Sequence, residues 1–408
     1  MFKFIRLATK NVFRNTRRTI ITGLVLVFGA TALILAGGFV SSSFRGLRES
    51  TIHGQLGHLQ VYSKDFFKAE EERPLALGLD KSDGLKKSIL ALPHVRLGMA
   101  RVEFTGLLSN GDKSSIFLGR GIEPDKEAQL TDFSRSIDTG AFLRSDTGVD
   151  KDAEVLLARG LAKSLHARVG DYLTLMTTTS AGALNAMDVR VAGIYSTGVP
   201  EFDERALMVK LEAAQQLLHS NKVSKLVVVL DETDRTEDVA AAIQRLLPDT
   251  SLRRWDELAT FYRAVVQLYR TIFLFLGVII FIVVVLSCSN TMMMSIFERT
   301  KEIGTQLAVG TSRLRVLVNF LYEGLAIGVL GGGAGLLAGL GLAVLINHAG
   351  IVMPPPPGLT HGYSLIIDLV PGVFTGVFAV MVLMTVISTV VPAMKASRMK
   401  IVDALGHI

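Results

Sequence analysis

Four long uncharged stretches lie along this chain as one followed by three, with a polar segment between the first and the second. The first runs from Thr19 to Phe44 between Arg18 and Arg45, and the second from Thr271 to Phe297 between Arg270 and Glu298. The third covers Val316 to Asn347, broken only by Glu323, and the fourth lies between Asp368 and Lys395. Each exceeds the ~20 apolar residues that a helix needs to cross the hydrocarbon of a bilayer. The runs are apolar all round, whereas the core helices of soluble domains are shorter and striped. The pattern therefore predicts an α-helical membrane domain of four transmembrane helices in a 1+3 arrangement, at 19–44, 271–297, 316–347 and 369–394.

The polar segment 45–270 is long enough for a domain with its own core. Its patterning alternates short β-rich runs with helical ones. His58–Ser63, Val95–Leu108, Ser115–Ile122 and Lys225–Leu230 read as strands, with Asn110-Gly111 as the turn between the second and third. Asp83–Leu92 reads as a helix capped by Asp83 and stopped by Pro93, and Thr233–Leu247 as a helix stopped by Pro248. Between them, Glu154–Ala158, Tyr172–Met176, Val189–Tyr195 and Ala206–Val209 read as further strands. The expectation is a large extracytoplasmic α/β domain with an inserted β-rich subdomain at about 123–221.

Charge gives the membrane-spanning reading a direction. The chain has 43 Lys and Arg against 37 Asp and Glu, but the segment 45–270 alone has 30 against 32. The excess is carried by the short flanks of the apolar runs: Lys3 to Arg18, Arg299 to Arg315, and Lys395 to Lys400. The connection 348–368 has no Lys or Arg. Short basic loops stay on the cytoplasmic side, so both termini are expected inside and the large domain outside, in the periplasm of a two-membrane bacterium. The basic flanks also favour anionic membrane lipid as a partner and do not argue for nucleic acid. Residues 1–18, with Phe2, Ile5, Val12 and Phe13 opposite a basic stripe, are expected to form a cytoplasmic amphipathic helix at the headgroups. The first apolar run is too long for a cleaved signal peptide and reads as a retained anchor. The single cysteine, Cys288, lies within the second run and reads as a small buried apolar residue.

Three local features refine the picture. The third run contains Gly324, Gly328, Gly331, Gly335 and Gly339 at spacings of 4, 3, 4 and 4, a line of small residues on one helix face that lets transmembrane backbones approach closely. The segment 348–368 contains MPPPPG from Met353, expected as a stiff extended periplasmic loop. Between the second and third runs lies 298–315, and Phe297–Ser312 reads FERTKEIGTQLAVGTS: Glu298, Arg299, Lys301 and Glu302 make a charged face, Ile303 and Leu307 an apolar one at i,i+4. This predicts a short amphipathic helix on the inner surface, ended by Gly310. Glu323, alone in its apolar run, is expected to pair with a cation, Arg315 being the candidate, rather than to carry protons.

No catalytic constellation is present. There is no HExxH, no metal-ligand spacing and no G-x-S-x-G elbow, and His53 and His58 read as surface or turn residues. The chain has no G-x-x-x-x-G-K-[ST] loop and hence no Walker cradle for ATP. It is expected not to be an enzyme and to hold no cofactor or metal of its own, so that if it moves anything against a gradient another chain must supply the ATPase.

The segment ERTKEIGTQLAVGTS is similar to the E-R-x-x-E-I-G-x-x-x-A-x-G signature of FtsX-like ABC permeases, the LolC/LolE lipoprotein-releasing and MacB types among them. The N-terminal KNVFRNTRRT, Glu323 with its glycine run, and the ending PAMKASRMKIVDALG resemble that family as well. The resemblance implies that 298–315 carries a coupling helix contacting a separate cytoplasmic ABC ATPase dimer, which binds the ATP and Mg. Glu298, Arg299, Lys301, Glu302, Ile303, Gly304 and Leu307 would be the contact set. It also implies a second permease subunit, as a homodimer or heterodimer, and leaves open a periplasmic carrier or adaptor. The lipoprotein-releasing branch fits best, with lipoproteins or other lipid-like cargo taken from the inner membrane by ATP-driven motion of the periplasmic domain. A peptide or macrolide efflux permease, a mechanotransmitting regulator of a cell-wall hydrolase, and a proton-driven carrier are the alternatives.

Overall fold

The computed structural model describes residues 16–64, 66–67, 75–80, 82–130, 137–144, 153–197, 200–353 and 363–405. The basic stretch before Thr16, part of the charged stretch after Ser63, and the MPPPPG run beyond Met353 lie outside these residues. The chain divides into two compact units, one formed by Met1–Arg45, Val265–Met353 and Ser364–Ile408, the other by Gly46–Ala264 and Pro354–Tyr363.

In chain order the elements are α1 (Thr16–Thr51), β1 (Leu59–Ser63), α2 (Ser82–Leu90), β2 (Val95–Ser109), β3 (Ser114–Ile122) and α3 (Pro124–Leu130). Next come β4 (Ile137–Gly140), β5 (Ala153–Ala158), α4 (Arg159–Ser164), β6 (Tyr172–Thr178), β7 (Leu184–Tyr195) and β8 (Ala206–Lys210). They are followed by α5 (Leu211–Leu218), β9 (Lys225–Leu230), α6 (Thr236–Leu246), β10 (Thr250–Arg254) and α7 (Thr260–Glu298). The chain closes with α8 (Thr300–Ala308), α9 (Arg313–Ala349), α10 (Pro371–Ser397) and α11 (Ile401–Leu405). Among the described residues, four helices are long and apolar enough to cross a membrane: α1, α7, α9 and α10.

The polar segment is built on a ten-stranded mixed sheet ordered β10-β1-β9-β2-β3-β8-β5-β7-β4, with β6 pairing β2 and β7. β2 belongs to both halves. Its first part, Val95 to Arg101, pairs antiparallel with β9, and its second part, Val102 to Ser109, pairs with β3. The strand KLVVVL of β9 is buried on both faces, as an uninterrupted β-branched run requires. One face of the sheet packs a large core that includes Val61, Val102, Phe104, Phe117, Val191, Leu217 and Ile243. Gly111 turns the β2–β3 hairpin at φ +94°.

Some local expectations shift. α2 begins at Ser82, so Asp83 lies in its first turn rather than at its cap, where a carboxylate still faces the positive end of the helix dipole. The segment from Thr233 opens as a 3-10 turn, Thr233–Arg235, before α6 begins. β3 pairs in parallel with β8, so the strands within 123–221 continue a sheet that begins ahead of 123.

His58 is not a surface residue. It is 1% exposed. The amide of Leu230 donates to its Nδ1 (3.1 Å), which leaves the ring proton on Nε2 to donate to Thr233 Oγ1 (3.1 Å). The Thr233 hydroxyl in turn donates to Glu49 Oε1 (3.2 Å), in the last turns of α1. Burial holds the imidazole down to a pKa of about 4, with nearby His53 acting in the same direction. A single neutral ring thus ties the end of α1 to β9 and to the entry of α6. The backbone between α1 and β1 is a five-residue π-helical turn, Ile52–Leu56, closed by Gly57 at φ +67°. A side chain at Gly57 would also meet the carbonyl oxygen of Val228 at 3.0 Å.

Candidate functional site

The segment between α7 and α9 is shaped by its own sequence. α7 ends at Glu298 because Arg299 leaves the helical region (φ −109°, ψ 15°), and α8 restarts at Thr300. The Thr300 hydroxyl donates back to the carbonyls of Ile296 (3.1 Å) and Phe297 (2.9 Å), which fixes the corner. At the other end, Gly310 takes φ +96°, a conformation that costs other residues energy, and the Thr311 amide bonds the Gln306 carbonyl at 3.0 Å. Ser312 is extended, and α9 begins at the next residue.

The seven residues singled out from the sequence divide by exposure. Glu298, Lys301 and Glu302 are exposed. Leu307 is partly buried, and Ile303, 3% exposed, sits in an apolar cluster with Ile296, Val316, Phe320, Ala393 and Ala396. Gly304 is buried under α11, where a Cβ would lie 2.7 Å from Ala404 Cβ. Ile303 and Gly304 are therefore covered by the chain itself and do not stand at its surface. The apolar face of α8 is matched to α9, α10 and α11, and the outward side is left to Lys301, Glu302, Thr305, Gln306 and Val309.

Glu323 pairs with Arg299, not with Arg315. Arg299 Nη1 lies 3.3 Å from Glu323 Oε2, and the two side chains are 15% and 7% exposed. The same guanidinium places Nε 3.3 Å from Glu302 Oε2 and lies over the ring of Phe320, 5.7 Å from its centroid. Arg315 is eight residues before Glu323 on the same helix, about 12 Å along its axis. Arg299, brought back by the corner at Thr300, is the cation within reach.

The glycines of α9 face two different helices, and the division follows height along the helix. Side chains at Gly324 and Gly328 would run into Thr389 and Thr385 of α10. At Gly331, Gly335 and Gly339 a Cβ would lie 2.7 Å from Leu26, 2.5 Å from Ala30 and 3.0 Å from Ile34, all on α1. All five therefore sit at contacts within this chain. The opposing hydroxyls of α10 are satisfied by their own helix, Thr389 by the Thr385 carbonyl (2.7 Å) and Thr385 by Val382 (2.8 Å). Beyond the glycines, Asn347 bonds both the carbonyl (3.0 Å) and the amide (2.8 Å) of Ile367, and Arg45 pairs with Asp368 at 3.0 Å. The sequence shows these polar residues at the ends of apolar runs but not which of them meet.

Known proteins resemble the chain along most of its length. A family model described as the FtsX-like permease C-terminal matches 274–401, the range holding α8, α9 and α10. One described as the MacB-like periplasmic core domain matches 19–246. The lipoprotein-releasing system transmembrane protein LolC of Neisseria meningitidis serogroup B is 23% identical over 99% of this chain and 97% of its own length. The macrolide export ATP-binding/permease protein MacB of Hyphomonas neptunium is 29% identical over 65% of this chain, which spans 40% of that longer protein. Among solved structures, the periplasmic region of MacB from Actinobacillus actinomycetemcomitans is 13% identical, covers 52% of this chain and 95% of its own, and has a TM-score of 0.37. With family models over both its polar segment and its later helices, the chain belongs to the FtsX-like ABC permeases that carry a MacB-like periplasmic core domain.

Proposed function

We propose that this permease is the inner-membrane subunit of an ABC complex that passes the work of a separate ATPase to the domain between α1 and α7. In this reading the four apolar helices cross the membrane in a 1+3 order, both termini are cytoplasmic, and the sheet domain stands in the periplasm. The basic flanks of the helices support that orientation. A cytoplasmic ATPase dimer holds ATP and Mg and docks against the outward side of α8. A second permease subunit completes the membrane part, and the cargo is a lipoprotein or another lipid-anchored molecule. The similarity to LolC over nearly the full length of both proteins favours this branch over macrolide or peptide export. A periplasmic carrier or adaptor is a further partner on the same grounds.

One observation carries the coupling assignment. α8 keeps its apolar side against α9, α10 and α11, yet leaves a charged, exposed side over only nine residues. A short helix anchored by one face and charged on the other can receive force without unfolding. Reversing the charges with Lys301→Glu and Glu302→Lys leaves the anchored face intact. The variant should lose at least tenfold in ATPase co-purification and in cargo release from membranes. Wild-type recovery of the ATPase with the double variant would overturn the docking surface. Cargo release that persists without any ATPase would replace the whole reading with an ion-driven carrier.

A further inference from the structure

We infer that Arg299 is a positioning residue shared between two helices, and that it carries a contact made at Glu302 on to α9 through Glu323. This rests on the reading of α8 as the ATPase-facing segment, and it adds a second route beside the covalent one through α7. The apolar packing of Ile303 and Leu307 against α9 and α10 is non-directional. On its own it does not specify how firmly α8 is drawn towards α9. An ion pair is discrete and directional. Arg299 makes one to Glu302 on α8 and one to Glu323 on α9, each at 3.3 Å, while its plane lies over Phe320, also on α9.

Both distances are longer than the 2.7–2.9 Å usual for such charge-assisted bonds, so the guanidinium sits between its two carboxylates. Glu302 is exposed and Glu323 is buried in an apolar helix. A partner that engages Glu302 with a cation of its own releases Arg299 towards Glu323, and its departure draws Arg299 back. The small cleft between the helices, lined by Arg299, Glu302, Gln306, Asn319, Phe320 and Glu323, gives the side chain room for that shift. Contact on the outward side of α8 is thereby converted into a change in how firmly α8 is held to α9.

Two measurements test this, one of which needs no ATPase. In the purified full-length permease in nanodiscs, Glu323→Gln should raise backbone hydrogen exchange in 300–308 at least tenfold while leaving 281–296 unchanged. Arg299→Gln should do the same, and Arg299→Lys should recover most of the protection. Unchanged exchange in 300–308 would overturn the shared-arginine assignment whether or not an ATPase partner exists. A rise spread evenly over α7, α9 and α10 would show general loosening and overturn it equally. In the complex with its ATPase, Glu323→Gln should retain assembly but lower cargo released per ATP hydrolysed at least fivefold. Wild-type release per ATP would reject the transmission role. A wild-type permease that binds no ATPase would reject the underlying reading while the exchange result stood.

Discussion

The sheet domain and the helical unit solve the same problem, burying polar groups, in opposite ways. In the sheet domain, charged and polar side chains are taken inside and paired. Arg101 and Glu127, each 1% exposed, form an ion pair between β2 and α3, and the buried Lys225 reaches an exposed Glu103 at 2.7 Å across the neighbouring strands. His58 is buried with both ring nitrogens bonded. In the helical unit, the contacts of α9 with α1 and α10 are made by removing side chains, leaving glycine against alanine, leucine, isoleucine and threonine, and polar pairs such as Arg299–Glu323 and Asn347–Ile367 stand towards the ends of α9. The helices are also unequal: 44% of the residues in the apolar stretch of α10 are buried and only 11% of those in α7. α9 and α10 form a packed pair, while α7 turns Leu274, Phe275, Ile279 and Leu286 outward. Polar pairing reaches into the middle of the first unit, whereas in the middle of α9 close approach of backbones fixes the second.

The contrast breaks most sharply at Arg101. Arg101→Ala leaves Glu127 charged and buried without that partner, and should cost about 3–5 kcal/mol in a denaturant midpoint on the solubilised chain. Arg101→Met with Glu127→Leu should recover most of the loss, since both charges go together. A single variant as stable as wild type would show that pairing does not fix this unit.

His58 gives the next largest effect and a pH signature. Its folded pKa of about 4 lies below the usual 6.5, so below pH 6.5 the unfolded chain binds more protons and stability falls. The loss should grow from pH 6.5 down to about 4, reaching about 3 kcal/mol, and saturate below that. His58→Gln should flatten that window in thermal unfolding followed against pH; an unchanged slope would mean that other groups set it.

The helical unit yields a smaller, sterically exact contrast. Gly335→Ala drives a methyl to 2.5 Å from Ala30 Cβ and should cost about 1–3 kcal/mol. Gly333→Ala, two residues away with open space around it, should stay within about 0.5 kcal/mol. Equal effects in a melting assay would remove close approach as the organising principle.

Much of this is legible in the sequence, because hydropathy runs and strand alternation are local. Lys225–Leu230 is a strand with the bounds that its β-branched run suggests, and the first three apolar stretches lie within long helices, while the helix of the fourth begins at Pro371, two residues inside the stretch. What escaped is what depends on chain segments far apart in sequence. The amphipathic pattern of α8 shows that Ile303 has an apolar side, but the residues covering it come from 393–396 and the cover over Gly304 from Ala404. For Glu323, proximity in sequence favours Arg315, and only the corner at Thr300 brings Arg299 within reach. His58 looked like a turn residue because its partners, Leu230 and Thr233, are supplied from more than 170 residues downstream.

The fifteen residues of β2, hydrogen-bonded to β9 over the first half and to β3 over the second, set what motions the domain can make. An extended strand of that length, about 50 Å, cannot be stretched, and opening a gap between the two halves would break its ladders. Strands do tolerate changes of twist. The domain therefore resists stretching and splitting along β2 while leaving twist as its soft direction: any change of angle between the β1–β9 end and the β3–β6 end has to be taken up as twist of one continuous strand.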